Sequence, residues 1–286
     1  MFDVIIIGKG PAGISASLYT KRAGLSTLII ANGYGALEKA EKVSNFYGFE
    51  NGISGKELLI KGEIQAKNLG VEFVNSEVYS FDSGENITLK TGNGDYECKA
   101  LIIATGKPRK KVLKIGLEKF EGAGVSFCVV CDGFFYRGRR VAVLGSSKYT
   151  QHEAEELKSF TSDITILTNG EEATGDFSKF KVNNKKIKEL TGEGRLQKIY
   201  FADGSSIDVE GLFVAMGTAT ALDFARKSGI LLENDSIKVD ENMQTNIKGI
   251  FACGDVKGGF LQVSKAVGEG AIAGNAAVQY VKGLGR

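Results

Sequence analysis

Residues 3–31 narrow what this chain can fold into more than any other stretch. Asp3–Ile7 reads as a strand, Gly8-Lys9-Gly10-Pro11-Ala12-Gly13 as a turn, and the residues to about Ala23 as a helix. A second strand follows at Ser26–Ala31. The spacing Gly-x-Gly-x-x-Gly is weak evidence alone, but between a strand and a helix it is a dinucleotide-binding turn. The glycines let backbone amides approach a pyrophosphate, whose charge rests on the helix N-terminus. An acidic residue commonly ends the second strand and holds ribose hydroxyls. Ala31 and Asn32 stand there instead, and Asn32 keeps an amide for the same role.

The rest of the chain repeats this plan. Residues 33–55 are loop-rich, with Phe46, Tyr47 and Phe49 set around Asn45 and Gly48. A helix over Gly55–Leu69 and short strands at Val71–Phe81, Asn86–Thr91 and Tyr96–Lys99 follow. Leu101–Ala104 is an apolar run ending in Thr105-Gly106, the pattern of a buried parallel strand whose end meets a ligand. A second unit then begins: a strand at Arg140–Leu144, a turn at Gly145, a helix near Thr150–Phe160 and a strand at Asp163–Leu167. Gly211–Ala215 with Met216-Gly217 mirrors the earlier Leu101–Gly106 segment. Gly249–Asp255 reads as a return strand, and Val263–Tyr280 as a closing helix rich in glycine and alanine. The expected fold is therefore α/β, with two nested Rossmann-like, nucleotide-binding domains, the second inserted in the first. Its expected boundaries are 1–113, 114–245 and 246–286, with hinges near Lys110–Ile115 and Thr245–Lys248.

Between the two units lies Gly124–Arg137, which carries Cys128 and Cys131 spaced Cys-x-x-Cys, with Asp132 directly after. Two sulfurs at that spacing can close a small ring, and a neighbouring positive charge or helix N-terminus would favour the reactive thiolate. Asp132 offers a carboxylic group suited to giving a proton to a leaving thiolate. The competing readings are half of a zinc site, which lacks a second Cys/His pair, and a pair of inert thiols. Cys98 and Cys253 are isolated, and His152 is the only histidine, expected at the surface. Four cysteines in 286 residues are no secreted disulfide framework, which points to a reducing cytoplasm. A net charge of +2 carries no argument for nucleic acid or a membrane surface. The longest early apolar run, Val4–Ile7, is too short for a signal peptide or a membrane span.

On Gly8–Gly13, Val43–Phe49, Ala104-Thr105-Gly106, Cys128–Tyr136 and Phe251–Val256, the chain resembles the low-molecular-weight thioredoxin reductases over nearly its whole length. The resemblance implies FAD in the first domain, NADPH in the second, and a redox disulfide at the start of the second. In that scheme Cys131 faces the flavin, Cys128 attacks the disulfide of thioredoxin and Asp132 is the acid. The FAD residues it implies are Gly8, Gly10, Pro11, Ala12, Gly13, Gly35, Ala36, Leu37, Asn45, Thr105, Gly106, Gly254, Asp255, Gln262 and Val263. Leu261 replaces the arginine usual before that glutamine. A homodimer is implied in the same way.

The second unit departs from the family. Where Gly-x-Gly-x-x-Ala is expected, the chain reads Gly145-Ser146-Ser147-Lys148-Tyr149-Thr150. Where a His-Arg-Arg cluster would neutralise a 2′-phosphate, it reads Thr168-Asn169-Gly170-Glu171-Glu172. The sequence is thus similar to the ferredoxin-dependent flavin thioredoxin reductases, which lack the NADPH motifs. Reduced ferredoxin is the expected donor. Lys107, Arg109, Lys110, Lys111 and Lys114, with Arg137, Arg139 and Arg140, are the candidate landing surface, and Lys179–Lys188 is a competing run. The alternative is an NAD(P)H-dependent reductase of thioredoxin or of another disulfide, with Glu171 on an NADH ribose.

Overall fold

The computed structural model describes residues 1–107, 113–217 and 219–284. The chain divides into two compact units, Met1–Arg109 with Thr220–Arg286, and Lys110–Ala219, so the second is inserted in the first.

The first unit starts with β1 (Phe2–Ile7), α1 (Pro11–Arg22) and β2 (Thr27–Ile30), then α2 (Gly55–Asn68) and β3 (Glu72–Val74). β1 lies between β2 and the long β6, parallel to both, and β3 extends the sheet beyond β2. The β-branched run Val4–Ile7 is fully buried, as a strand covered on both faces requires. The expected strand Val71–Phe81 is two strands. β3 runs parallel to β2, whereas β4 (Val78–Ser83) pairs antiparallel with β5 (Ile87–Thr91), so the chain must turn at 75–77. Conversely, the expected strands Tyr96–Lys99 and Leu101–Ala104 are one, β6 (Gly94–Ile103). Its first half pairs with β5 and its second half with β1.

In the second unit β7 (Val125–Ser126) leads to α3 (Val129–Asp132), then β8 (Val141–Leu144), α4 (Lys148–Leu157), β9 (Ile164–Leu167) and β10 (Lys181–Asn183). β11 (Ile187–Thr191), β12 (Lys198–Phe201) and β13 (Ser206–Asp208) form an antiparallel sheet, and β14 (Gly211–Val214) returns to the parallel one. That parallel sheet has the order β10-β9-β8-β14-β7. Its core gathers Val125, Ala142, Leu144, Leu167, Leu196 and Leu212.

The chain re-enters the first unit through α5 (Ala221–Ser228), β15 (Leu232–Glu233) and β16 (Ser236–Ile237), earlier than the expected hinge at Thr245–Lys248. Phe224 on α5 packs on Phe81 of β4 with ring centroids 6.0 Å apart, and Asn246 Oδ1 accepts from the Leu231 amide. β17 (Ile250–Ala252) then runs parallel to β6 on the side opposite β1, and α6 (Val263–Gly283) closes the unit. α6 packs on α1 through small residues. A Cβ on Gly270 would stand 2.2 Å from the Ala12 carbonyl oxygen, and one on Gly274 2.5 Å from that of Ala16. Only hydrogen fits there, which explains much of the glycine in this helix. Ser15 Oγ donates to Val267 O across the same seam. Among the described residues no helix is long and apolar enough to cross a membrane.

A charged cluster ties α2 to the glycine turn. Glu63 Oε2 receives Lys9 Nζ at 3.1 Å, Glu63 Oε1 receives Lys67 Nζ at 2.6 Å, and Lys9 Nζ sits 3.9 Å from the Tyr34 ring centroid. Burial works against charge on Glu63, but hydrogen bonds from Lys67, Tyr34 and Lys9 outweigh it and hold the carboxyl at about 2. A depressed carboxyl contributes stability that is present above its ordinary value of 4.5 and lost as pH falls toward 2. Glu63→Gln should therefore lower the melting temperature at pH 7 but flatten its decline across that acid range, as scanning calorimetry would measure.

Candidate active site

Three adjacent parallel strands of the first unit, β1, β6 and β17, end at one edge. Their exits are Gly8–Gly13, Ala104–Lys107 and Cys253–Lys257, and ligands of open α/β sheets bind at such an edge. Gly8 has φ 108°, and a Cβ there would meet Ala104 O at 2.4 Å. A Cβ on Gly13 would lie 2.0 Å from Gly8 O, so α1 starts directly against the end of β1. Gly10 differs: nothing lies within 4 Å of its Cβ position. Gly10 caps α1 without any side-chain hydrogen bond, and the first turn carries no acidic residue. Its leading amides are therefore available to an anion.

The Thr105 hydroxyl lies at this edge, buried and with no hydrogen-bond partner among the described residues. A buried orphan of that kind calls for a ligand group. Gly254 packs against Ala12, and Asn45 Nδ2 donates to Gln262 Oε1 at 3.0 Å, tying the 45–49 loop to the start of α6. That helix start likewise has no side-chain cap, and Val263 is its first residue. Gly35, Ala36 and Leu37 belong to a different set of contacts, a 3-10 turn packed on the N-terminus of α2. Gly106 and Asp255 each lie three residues past their strands, Asp255 as the second residue of a short 3-10 turn. The residues thus fit a dinucleotide with its pyrophosphate on α1.

Glu269 of α6 is the residue here that the motifs missed. Its carboxylate accepts from the Gly254 amide at 3.0 Å and pairs with Lys265 at 3.0 Å and Lys257 at 3.2 Å. It thereby fixes the turn that carries Asp255. The signal was a Lys–Glu pair four residues apart on an otherwise apolar helix.

Cys128 and Cys131 are joined as a disulfide with Cα atoms 5.3 Å apart. Among the described residues the one group spaced to hold an ion is His152, Glu153 and Glu156, which contains neither cysteine. Cys128 caps α3, its Sγ accepting from the Cys131 amide at 3.2 Å. Cys128 is 3% exposed, whereas Cys131 is open to solvent. Around the pair Val130, Phe134 and Phe135 are also exposed. The Asp132 carboxylate receives the Ser126 hydroxyl at 2.7 Å. Burial and the nearby Asp132 charge push the Tyr136 phenol up. Both remaining cysteines are buried, and burial pushes each thiol up to about 12, so neither is a nucleophile.

The corresponding helix start in the second unit is closed by the chain itself. Ser147 and Thr150 form a reciprocal capping box on α4: the Ser147 amide donates to Thr150 Oγ1 at 3.1 Å, and the Thr150 amide to Ser147 Oγ at 3.4 Å. Thr150 Oγ1 also donates to Ala215 O, and Ser147 Oγ to Gly217 O at 2.6 Å. The Thr174 and Gly175 amides then bind Ser146 O, at 2.7 and 3.2 Å, so residues 174–175 lie over the turn. Ser146 Oγ donates to Glu171 Oε2 at 3.2 Å.

Two expectations about charge change. Arg139 pairs with Glu210 at 3.3 Å, and Arg140 lies 3.8 Å from Asp163 and 3.9 Å from Asp208, so both are largely neutralised within the unit. Arg137 instead lies over the Phe134 ring. Arg109, Lys110 and Lys111 fall outside the described residues, and within 179–188 Lys181 and Lys185 pair with Asp163 and Asp203. His152 is partly exposed on α4, 3.2 Å from Glu156.

The two kinds of glycine separate experimentally. Gly13→Ala should lower the melting temperature of the ligand-free protein by about 5 °C or more, because carbonyl and methyl cannot share that space. Gly10→Ala should leave it within about 1 °C and weaken FAD binding on the order of tenfold in a fluorescence-quenching titration, because the methyl enters only the open side.

Known proteins resemble this chain over nearly its whole length. The family model described as pyridine nucleotide-disulphide oxidoreductase matches residues 2–270. Thioredoxin reductase of Listeria innocua is 34% identical over 304 residues, an alignment covering 99% of this chain and 95% of that protein. The atypical thioredoxin reductase TRi from Desulfovibrio vulgaris Hildenborough has the same fold with a TM-score of 0.94, at 38% identity and 99% coverage of both chains. A ferredoxin-flavin thioredoxin reductase from Clostridium acetobutylicum gives 0.75 at 30% identity, covering 100% of this chain and 99% of its own. With an uncapped glycine turn in one unit and a disulfide in the other, the chain belongs to the low-molecular-weight thioredoxin reductases, FAD-using enzymes of the pyridine nucleotide-disulphide oxidoreductase family.

Proposed function

We propose that this enzyme reduces the disulfide of thioredoxin through Cys128 and Cys131, with electrons from reduced ferredoxin rather than NADPH. The observation that carries the donor assignment is the self-closed start of α4. Two of the amides at that turn, those of Ser147 and Thr150, are already met by the capping box, and Ser146 engages Glu171, which follows the strand where the family carries cations for a 2′-phosphate. Two like charges a few ångströms apart repel by about 1 kcal/mol or more even when well hydrated. The ferredoxin-flavin thioredoxin reductase among the similar structures supports the same reading.

In the first unit the Gly10, Ala12 and Gly13 amides, the Thr105 hydroxyl and the Gln262-Val263 helix start would hold FAD. When bound, FAD supplies a centre that takes single electrons and delivers them in pairs. In the reduced protein the Cys131 amide would stabilise a Cys128 thiolate. That thiolate bonds one sulfur of the substrate disulfide, the substrate S–S bond breaks, and the leaving sulfur takes a proton from Asp132. Cys131 then gives its proton to Asp132, and its thiolate displaces the second substrate sulfur, which leaves as a thiolate and takes that proton, re-forming the Cys128–Cys131 bond. Cys128 must become accessible for this, since Cys131 is the exposed residue of the pair in the conformation described. That exposure favours a second reading in which Cys131 attacks first. The working unit proposed is a cytoplasmic homodimer, which light scattering at micromolar concentration would test.

The flavin band decides the donor. Reduced ferredoxin should bleach it rapidly in stopped flow, and the rate should fall as salt rises, because charge steering is screened over about 8 Å at physiological ionic strength. Millimolar NADPH should leave it nearly unchanged, and full bleaching by NADPH within seconds would return the enzyme to the nucleotide-dependent class. The order of the cysteines is settled separately. Cys131→Ser should trap a mixed disulfide with a single-cysteine thioredoxin; trapping by Cys128→Ser instead would reverse the two roles.

A further inference from the structure

Ser126 ends β7, where its backbone is held beside Phe213 of β14, and its side chain is buried. Its hydroxyl has three partners. It lies 2.7 Å from Asp132 Oδ2 and 3.3 Å from Cys128 O, and it accepts the Cys128 amide at 3.1 Å. Only one hydroxyl proton serves two acceptors. When Asp132 is a carboxylate, the proton points to Oδ2. When Asp132 is protonated, its O–H can donate to the Ser126 oxygen while the Ser126 proton turns to Cys128 O. The amide of Cys128 occupies the remaining lone pair in either arrangement. The Asp132 amide, for its part, donates to Cys128 O at 3.1 Å, so backbone and side chain are held from the same turn.

We infer that Ser126 is a positioning residue for the proton transfer: it keeps the Asp132 carboxyl aimed in both protonation states, and it holds the first cysteine's amide in the same network. A group that gives and regains a proton in each cycle needs a partner that accepts and donates in turn. An apolar residue at 126 would leave both the carboxyl and the Cys128 amide without that partner. This inference rests on the proposed role of Asp132 as the acid.

The test uses the full-length, FAD-loaded enzyme, reduced to its dithiol with dithiothreitol and desalted. It is mixed in single turnover with two disulfides. One is oxidised thioredoxin, whose leaving alkyl thiolate needs a proton. The other is an aromatic nitrobenzoate disulfide, whose leaving thiolate is stable without one. Ser126→Ala should slow the thioredoxin reaction on the order of tenfold, the size of one lost hydrogen bond to a charged group, and change the aromatic one by less than about twofold. Ser126→Thr, which keeps the hydroxyl, should restore the thioredoxin rate. Equal slowing of both disulfides, or of neither, would overturn the inference, and so would failure of the threonine variant to rescue a stably folded protein. Asp132→Asn serves as the control. If it leaves the thioredoxin rate unchanged, the acid role itself fails and takes this inference with it, whereas a slow Asp132→Asn beside an unaffected Ser126→Ala refutes Ser126 alone.

Discussion

The contact between the Gly8 carbonyl and the Cα of Gly13 governs the first unit. Because no Cβ stands between them, α1 begins immediately at the end of β1 and its first amides face the strand exits. α6 is then set by α1, since Gly270 and Gly274 lie on Ala12 and Ala16 with no room for a methyl. Through α6 the same contact reaches Glu269, Gly254 and the turn carrying Asp255. A glycine turn near the N-terminus thereby positions groups more than two hundred residues later in sequence.

The two units answer one structural problem in opposite ways. A helix start leaves amides without partners, and something must meet them. At α1 the chain leaves them open under an uncapped glycine and a proline. At α4 it meets the Ser147 and Thr150 amides with each other's hydroxyls, and residues 174–175 bond the Ser146 carbonyl. A cap of this kind is worth about 1 kcal/mol to the helix. The second unit keeps the α/β frame of a nucleotide fold and uses it to present β7 and the cysteine turn.

Much of this was legible in the sequence, for identifiable reasons. Gly8–Gly13 has a steric signature that survives without an alignment, and Cys128–Asp132 has a chemical one. Both nested units followed from the alternation of apolar runs with glycine turns. What was not legible depended on long-range pairing. Nothing local says that Tyr96–Lys99 continues into Leu101–Ile103, because the strand changes neighbours midway. The return at Thr220 is equally hidden, being fixed by Phe224 meeting Phe81. Arg139 and Arg140 read as free charge in sequence, but Glu210, Asp163 and Asp208 reach them from distant segments. Ser126 lies two residues before Cys128, yet only the fold brings its hydroxyl to Asp132.

The doubly held turn at Ser146–Thr150 also bears on how such an enzyme can change its fuel. Reinstating glycines in that hexapeptide would strip the cap from α4 and leave its amides bare, while residues 174–175 still occupied the approach to them. A Cβ on Gly175 would already press within 2.7 Å of Ser147 O, so that strap fits closely and has little slack. The glycine fingerprint and the strap would have to change together, with each intermediate less stable than either end. On the donor proposed above, closing a nucleotide site by this route would behave as a ratchet: every hydrogen bond added to the cap would make reversal by single substitutions harder.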